Sequence, residues 1–573
     1  MRIFFATIIF LLYVASAADF DTKTRPLELQ TLCLTNYTTA KLYYTQFSDL
    51  FDQKISVIYP GSCNCPNNCF EDLGNGFCAG KCMCSVGFTG KDCSIVDNGN
   101  TCSGNGLFSV DKKICICKQG FSGSLCDIKD AKLPELPKVS TKQYYYNDKY
   151  GEDHPLFDPK LMSVIHIEID KADLDFLLDV NNMNSRDYKK VGLKMYSHKF
   201  GYYQSSKAGL RIRGMSSRAN LKKQWKISFT AFGEKKKYSM SSFNLNAEVN
   251  DATGAHDSIN YMINRGLGLP SPRTGVTELF INGIAMGYYV LFESINNNFL
   301  KTRIPDLEKG YIRYKCRGGA NFALIGEETC KDYENDRFSY LGVKQHYECE
   351  TNNCNWCDIR DVAVSAGHGD HEKLTKLIDT DAFARTIAFN SLVANWDDMI
   401  FNTNNYQVVR NPSTQKFELV VFDFDLSWGF DHIGVLKDSD TTWQDIHVDK
   451  WGNYGRFAPS SAWNKPNFWK RDVFSTLLAD PEWKSLYHHY ISELINKTFA
   501  GQTWIEWLLS FREMSLPAIA RDKFGRVQFQ YTFDDVSNNY QNDLTYPNGV
   551  LIAPGMITFM QERIEIVKKQ INL

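Results

Sequence analysis

Residues 405–423, with the sequence NYQVVRNPSTQKFELVVFD, decide the fold of the most informative part of this chain. Two apolar runs flank the turn-forming residues 411–414, so we predict a β-hairpin with strands over 405–410 and 416–423. The open end of a hairpin brings its first and last residues side by side. We therefore expect Asn404 and Asn405 to lie beside Asp423 and Asp425.

Amides and carboxylates in that number suit a hard divalent cation such as Mg²⁺ or Mn²⁺. Asp397 and Asp398 precede the hairpin, and either carboxylate could act on a nearby hydroxyl. Asp397 and Asn402 also keep the D-x-x-x-x-N spacing of protein kinases. An acid, an amide and a second acid are the groups that phosphoryl transfer uses. The alternative is a solvated turn, because Asp and Asn are also common loop residues.

The chain before this hairpin is predicted to be mostly sheet, and the chain after it mostly helix. Alternating apolar residues mark strands at 163–169 and 223–229, and Asn282-Gly283 predicts a tight hairpin turn. Asp480 before Pro481 is typical of a helix start. We predict an α+β fold of two lobes with a cleft between them. Its parts are a β-rich lobe over 161–310, a cysteine-containing insertion over 311–360 and an α-rich lobe over 361–573.

The distribution of the cysteines along the chain indicates its domain boundaries. Twelve of the 17 lie between Cys33 and Cys126, which indicates a disulfide framework, and five lie between Cys316 and Cys357. The pattern C-x-C-x-x-G-F-x-G-x-x-C occurs at 82–93 and again at 115–126, and it resembles half of an EGF-like module. We assign 61–128 to an EGF-like region and 129–160 to a linker. The later five predict two bridges and one spare thiol.

The N-terminus predicts entry into the secretory pathway. A short apolar run ends at Ala15-Ser16-Ala17, as in a signal peptide over residues 1–17, with an N-terminal segment over 18–60. No later run is long enough to span a bilayer. We expect a secreted or Golgi-lumenal protein, with candidate glycosylation at Asn36 and Asn496. The 64 basic and 66 acidic side chains give no field that favours nucleic acid as a partner.

Five phrases occur in an order that resembles the CotH family. They are LRIRGMSS (210–217), KKQWKI (222–227), INGIAMGYY (281–289), NNY (404–406) and DFDLSWG (423–429). The family includes atypical protein kinases of bacterial spore coats, and fungal surface members are described as invasins that bind host receptors. The resemblance implies a kinase-like two-lobed fold and transfer of phosphate from ATP, with Mg²⁺ or Mn²⁺, to Ser or Thr of secreted or coat proteins.

The resemblance also implies roles for the hairpin residues. Asp397 matches the catalytic aspartate, and Asp423 matches the metal-binding aspartate of the kinase D-F-G. Asn402 or Asn405 would be the amide ligand of the metal, with Asp425 close by.

The cations would hold the phosphates of ATP. Lys223, Arg211 and Arg213 would face them, and Glu293 would pair with one of these cations. No G-x-G-x-x-G precedes the lysine and no H-R-D precedes the asparagine, so side chains such as Arg213 must replace a glycine loop. The alternative is that these charges form the solvated face of a strand.

Two other functions stay open. A degenerate kinase-like domain could serve adhesion or coat assembly, with the EGF-like modules contacting a cell-surface or matrix partner. Transfer of another group, such as AMP, could use the same scaffold.

Overall fold

The computed structural model describes residues 65–73, 75–78, 82–84, 88–96, 101–139, 147–214, 216–220, 222–248, 250–324, 329–330, 346–436, 439–454, 471–522, 532–545 and 552–573. The predicted signal peptide, the segment 18–60 and the first candidate glycosylation site, Asn36, lie outside the described residues. No helix among the described residues is long and apolar enough to cross a membrane.

Two small disulfide-bonded modules begin the described chain, as predicted. Their bridges repeat the same spacing: Cys69–Cys82 and Cys84–Cys93 in the first module, then Cys102–Cys115 and Cys117–Cys126 in the second. Each module carries two short antiparallel hairpins. The eight strands are β1 (Gly76–Cys78), β2 (Cys82–Cys84), β3 (Phe88–Thr89), β4 (Ile95–Val96), β5 (Gly106–Ser109), β6 (Ile114–Cys117), β7 (Phe121–Ser122) and β8 (Ile128–Lys129).

Seven strands of the next part form a closed barrel in the order β10-β11-β12-β13-β15-β14-β9. These strands are β9 (Met162–Ile169), β10 (Lys189–Ser197), β11 (Gly201–Ile212), β12 (Trp225–Ser228), β13 (Ser242–Asn246), β14 (Thr274–Ile281) and β15 (Ile284–Glu293). Closure comes from a parallel pairing of β9 with β14, whereas the other neighbours are antiparallel. Alternate residues such as Leu210, Trp225 and Leu291 fill its interior.

The predicted turn at Asn282-Gly283 is confirmed. Both residues have positive φ, 49° and 80°, as a two-residue type I′ hairpin turn requires. This turn joins β14 to β15 directly.

The second module is docked on the barrel. The amide of Gly123 donates to the carbonyl of Met162 at 3.0 Å, and the amide of Cys117 donates to the hydroxyl of Tyr196 at 2.8 Å. The segment that follows has no helix or strand up to residue 139, yet Leu133 and Val139 are buried against the main core. The predicted connector is thus packed on the domain over its described residues.

The predicted hairpin is confirmed as two strands of a second sheet. This sheet has the order β17-β16-β18-β19, with β16 (Ile312–Cys316), β17 (Tyr347–Cys349), β18 (Tyr406–Arg410) and β19 (Phe417–Val421). Tyr406 pairs with Val421 at the open end. The last strand pair, β20 (Leu544–Thr545) with β21 (Ile552–Ala553), lies near the C-terminus.

Helices surround the second sheet and form the rest of the main core. Asp480 caps one of them as predicted, because its carboxylate accepts from the amide of Trp483 at 2.7 Å. The helices are α1 (Lys171–Leu178), α2 (His256–Gly266), α3 (Asn297–Arg303), α4 (Cys357–Gly367), α5 (His371–Leu377), α6 (Thr380–Leu392), α7 (Asp472–Ala479), α8 (Pro481–Glu493, continued by a π-turn over Leu494–Thr498), α9 (Thr503–Arg521), α10 (Phe533–Asn538) and α11 (Met556–Ile571).

The later cysteines follow the predicted count. Cys330 bonds to Cys357 and Cys349 to Cys354, while Cys316 is a buried free thiol. The four bonded cysteines hold the insertion on the second sheet and on α4.

The fold is mixed α+β, as predicted. The predicted β-rich part is present, and it forms a closed seven-strand barrel, an architecture that the resemblance to kinases did not specify.

Candidate functional site

The candidate site lies at the open end of the β18–β19 hairpin. The amide of Phe422 donates to the carbonyl of Asn405 at 3.1 Å, which extends the ladder by one bond beyond the strands. Asn405 and Asp423 then leave the ladder with positive φ of 56° and 68°. Non-glycine residues rarely adopt this conformation, and it concentrates at functional sites.

Three asparagine amides converge on Asp397. Asn405 donates to its carboxylate at 2.7 Å, Asn404 donates at 3.2 Å, and Asn402 donates to the same group. Burial raises the pKa of Asp397 to about 6, although these amides counteract the shift. The predicted proximity of the acid and the amides is therefore present, and a half-buried carboxylate is held in one orientation.

Asp398 has a different environment. One oxygen accepts the amides of Ile400 at 2.9 Å and Phe401 at 2.5 Å, and the other accepts the indole N–H of Trp451 at 3.0 Å. The side chain is buried at 2% exposure. Asp398 stabilises the turn before the hairpin, and Asp397 is the acid of the pair that faces the other site residues.

Asp423 and Asp425 follow β19 and are both half-buried. The amide of Asp423 donates to the hydroxyl of Tyr261 on α2 at 3.0 Å, and Asn250 donates to the carboxylate of Asp425 at 2.7 Å. Burial raises the pKa of Asp423, while Arg213 and Lys315 counteract the shift. Burial also raises the pKa of Asp425, and the charges of Asp423 and Asp257 raise it further.

Sequence reasoning missed a further group of acids around the N-terminus of α2. Asp257 accepts the amide of Phe424 at 2.8 Å, so it fixes the backbone between Asp423 and Asp425. Burial raises the pKa of Glu248 well above its ordinary value, and the charges of Asp257 and Asp251 raise it further. A signal existed, since three acids, Glu248, Asp251 and Asp257, fall just before a helix or in its first turn.

A row of cations, Arg211, Arg213 and Lys226, lies on the outer surface of the barrel, and Arg213 of this row acts on Asp423 and Asp257. Arg211 pairs with Lys226 across β11 and β12, and their neighbours Leu210 and Trp225 point into the barrel. Burial lowers the pKa of Lys226 to about 7, and Arg211 and Arg213 lower it further. Crowded, partly desolvated cations are suited to an anionic ligand.

The second sheet contributes a further cation, Lys315. Lys315 on β16 lies over the ring of Phe422, 5.7 Å from its centroid, while Arg213 lies 4.8 Å from the centroid of Phe292 on the barrel. Burial lowers the pKa of Lys315 to about 8, with Arg317 and Arg213 contributing. Both Arg213 and Lys315 act on Asp423, so the barrel and the second sheet meet at this carboxylate.

The structure places two of the predicted phosphate-site residues elsewhere. Lys223 is buried, and its ammonium donates to the carbonyl of Arg218 at 3.0 Å, whereas Lys226 lies in the cation row. Glu293 pairs with Arg303 at 2.9 Å and with Arg273 at 2.5 Å, two cations that the sequence prediction did not name.

An open groove of about 600 Å³ runs beside Lys226. Its wall includes the aromatic rings of Tyr188 and Phe232 and the polar side chains of Ser228 and Asn296.

The residues at the hairpin fit a magnesium or manganese ion. Mg²⁺ in proteins takes one or two carboxylates and keeps several waters, and Asp423 with the neighbouring amides supplies such oxygens. Among the described residues, three acidic, histidine or cysteine ligand atoms come within 4.8 Å of one another only at cysteines of the EGF-like modules. A cation at the hairpin would therefore use amide oxygens and water as well as carboxylates.

Comparisons with known proteins find a family and several relatives that match this region of the chain. Residues 210–548 match the family described as CotH kinase protein. The chain is 27% identical to inner spore coat protein H of Bacillus subtilis (strain 168) over 235 residues, which are 40% of this chain and 61% of that protein. It is 21% identical to invasin CotH2 of Rhizopus delemar over 471 residues, which are 77% of this chain and 72% of that protein. Invasin CotH3 of the same organism is 22% identical over 206 residues, 35% of this chain and 32% of that protein.

The match to spore coat protein H thus spans less than two thirds of that relative. The family match is broader, since it covers more than half of the 573 residues and contains every acid and cation of the candidate site. The chain belongs to the CotH family.

Proposed function

We propose that this chain is an extracellular atypical protein kinase, which transfers the γ-phosphate of ATP to Ser or Thr hydroxyls of a secreted or coat protein. The observation that carries the proposal is the placement of Asp397 and Asp423 at one end of a hairpin, beside the cations Arg213 and Lys315. Phosphoryl transfer is mainly a matter of positioning and charge stabilisation, and these are the groups that it uses.

Asp397 would accept the hydrogen bond of the attacking hydroxyl. Its three amide donors hold the carboxylate in place, and a pKa of about 6 keeps it largely ionised at neutral pH. In the transition state the hydroxyl proton would pass to this carboxylate as the oxygen bonds to phosphorus and the bond to ADP breaks.

Arg213, Lys226 and Lys315 would bind the phosphate oxygens. Without a ligand the pKa of Lys226 is about 7 and that of Lys315 about 8. A bound polyphosphate would favour the charged forms of both lysines. Asp423 and Asn402 or Asn405 would hold a divalent ion, which would neutralise negative charge on the phosphates of ATP. The groove beside Lys226, on the outer surface of the barrel, is the proposed place for the rest of the nucleotide.

The proposed location is outside the cell. Six described disulfides fit an oxidising compartment. The relatives' names, a spore coat protein and two invasins, favour an exterior setting, and they lend no support to the Golgi lumen as the destination.

A second candidate function is adhesion without catalysis. Two relatives are named invasins. The second EGF-like module also presents exposed apolar side chains, with Leu107 at 78% and Val110 at 53% exposure. Such side chains on a docked module could contact a cell-surface or matrix partner.

The test is transfer of ³²P from γ-labelled ATP to an acidic protein such as casein, in Mg²⁺ or Mn²⁺ and with EDTA as the blank. Wild type should label the substrate, Asp423→Ala should not, and the exposed Asp440→Ala should behave as wild type. Absence of label with wild type would contradict the kinase proposal and favour adhesion. Label from α-labelled ATP instead would indicate AMP transfer.

A further inference from the structure

The second EGF-like module contacts the barrel at the turn between β10 and β11, where His198 lies. Its ring nitrogen Nδ1 is 3.2 Å from the carbonyl oxygen of Phe121 in β7, and Nε2 is 3.3 Å from Oδ2 of Asp130, just after β8. Asp130 is held on the module, because its amide donates to the carbonyl of Gly120 at 3.1 Å. One side chain of the barrel thus bridges two acceptors of the module.

The two contacts of His198 differ in the protons that they need. A carbonyl oxygen and an ionised carboxylate only accept hydrogen bonds, and a neutral imidazole carries a single N–H. The neutral ring can therefore donate to Phe121 or to Asp130, but not to both. One more proton between Nε2 and Oδ2, on either atom, allows both hydrogen bonds to form. An interface that uses an additional proton is more stable at low pH.

The other charges at this turn are already paired. Lys199, the next residue, lies 2.6 Å from the carboxylates of both Asp153 and Asp158. These pairs link the turn to the segment that enters β9. Asp130 is therefore the acid that is left for His198, and the side chains of the two residues are 19% and 21% exposed. Solvent can exchange protons with a contact that is exposed to this extent.

The surroundings of Asp130 favour a proton in this contact. Burial raises the pKa of Asp130, the hydroxyl of Ser122 and the charge of His198 counteract the shift, and the charge of Asp158 adds to it. Imidazole is the side chain whose charge ordinarily changes between pH 5 and 8. A proton shared by these two groups should therefore be lost within that range.

We infer that His198 and Asp130 form a pH-sensitive contact, which holds the second EGF-like module on the barrel at acidic pH and loosens it as the pH rises towards 8. The inference concerns the docking of the module and is independent of the proposed kinase function. The hydrogen bond from the amide of Gly123 to the carbonyl of Met162 joins backbone groups that do not titrate. We therefore expect the module to become looser at high pH without leaving the barrel.

The test is amide hydrogen exchange of Gly123 in the full secreted chain at pH 5 and pH 8. Exchange is expressed as a protection factor, which corrects for the chemical effect of pH on exchange. The protection factor of wild type should be roughly tenfold lower at pH 8 than at pH 5, as expected for the loss of one charge-assisted hydrogen bond. The exposed control His489→Gln should show the same fall, and His198→Gln should show none.

Asp130→Asn separates the shared proton from a merely structural role. Its side-chain amide can donate to Nε2 while Nδ1 donates to Phe121, so both contacts form with a neutral ring. This variant should keep at pH 8 the protection that it has at pH 5. It decides the matter if His198→Gln loses protection at both pH values.

Two results would overturn the inference. One is a protection factor of wild type that stays constant between pH 5 and pH 8. The other is a fall of equal size in wild type and Asp130→Asn.

Discussion

Lys222 and Asp522 form an ion pair with a 2.6 Å separation between Nζ and Oδ2, although they lie 300 residues apart in sequence. Both are buried, at 0% and 3% exposure. Asp522 also accepts the amide of Tyr288 at 3.1 Å, and Lys222 donates to the carbonyl of Ala247 at 3.0 Å. The pair fixes the end of α9 to the barrel, and so it holds the helical part of the domain against the barrel.

Asp522→Asn should therefore be strongly destabilising, because Lys222 would keep a buried charge without its partner. We expect the free energy of unfolding to fall by about 3–5 kcal/mol, measured by guanidinium denaturation. The double variant Lys222→Met with Asp522→Leu should recover most of this loss. A single variant as stable as wild type would contradict the role of the pair.

The docking of the second EGF-like module depends on Arg521 of α9. Its guanidinium pairs with Asp127 at 2.5 Å and with the buried Glu278 at 2.9 Å, and Glu278 accepts the amide of Ser124 at 2.6 Å. Loss of such charged hydrogen bonds costs about 1.5–3 kcal/mol each. Arg521→Ala should speed hydrogen exchange of the Gly123 and Ser124 amides.

Arg512→Ala is the matched control for this variant, since Arg512 lies on the same helix and pairs with its exposed neighbour Glu513. It should leave exchange in the module unchanged. Equal exchange rates in Arg521→Ala and wild type would show that the module is held by its other contacts.

The lowered pKa of Glu293 predicts that part of the free energy of unfolding is lost at acidic pH. Burial alone would raise its pKa, but Arg303 and Arg273 together lower it to about 2. A pKa below the ordinary 4.5 means that the unfolded chain binds the proton more tightly. The stabilisation is therefore complete above pH 4.5 and is lost as the pH falls towards 2.

Comparison of wild type with Glu293→Gln isolates this contribution. The difference in unfolding free energy should be on the order of 3 kcal/mol larger at pH 7 than near pH 2, and it should begin to shrink below about pH 4.5. A difference that stays constant between pH 7 and pH 3 would contradict the lowered pKa.

Asp398 and Asp397 should behave differently despite their adjacent positions. Asp398→Asn replaces one acceptor oxygen by an NH₂ group, so either the indole N–H of Trp451 or the amides of Ile400 and Phe401 lose their buried acceptor, and we expect a loss of about 1–3 kcal/mol of stability. Asp397→Asn should leave the melting temperature nearly unchanged, because in the described part of the chain its carboxylate oxygens accept hydrogen bonds only from side-chain amides of the site. Thermal unfolding of the two variants checks this, and equal destabilisation would refute it.

Local sequence signals predicted the hairpin, the Asn282-Gly283 turn and the cap at Asp480, because each depends on neighbouring residues only. The cation row was predicted less well. Successive residues of a strand point to opposite faces of the sheet. Whether Lys223 or Lys226 lies in the cation row therefore depends on where β12 begins. The partners of Glu293 could not be predicted either, because Arg273 and Arg303 reach it only after the barrel closes.

The closed barrel itself depends on the parallel pairing of β9 with β14, two strands separated by more than a hundred residues. Alternation within a strand predicts its faces but not its distant neighbours. The acids Glu248 and Asp257 were missed for a similar reason, since the hairpin and α2 meet only in the folded domain.

The most direct measurement is the single-turnover rate of phosphate transfer from ATP by wild type and Asp397→Asn, with Mn²⁺ binding followed on the same samples. A positioned general base contributes roughly 10²–10⁴-fold to such a rate. We predict a loss of that size in Asp397→Asn with the bound Mn²⁺ unchanged. Transfer at the wild-type rate by Asp397→Asn would contradict the assignment of this hairpin as a phosphoryl-transfer centre.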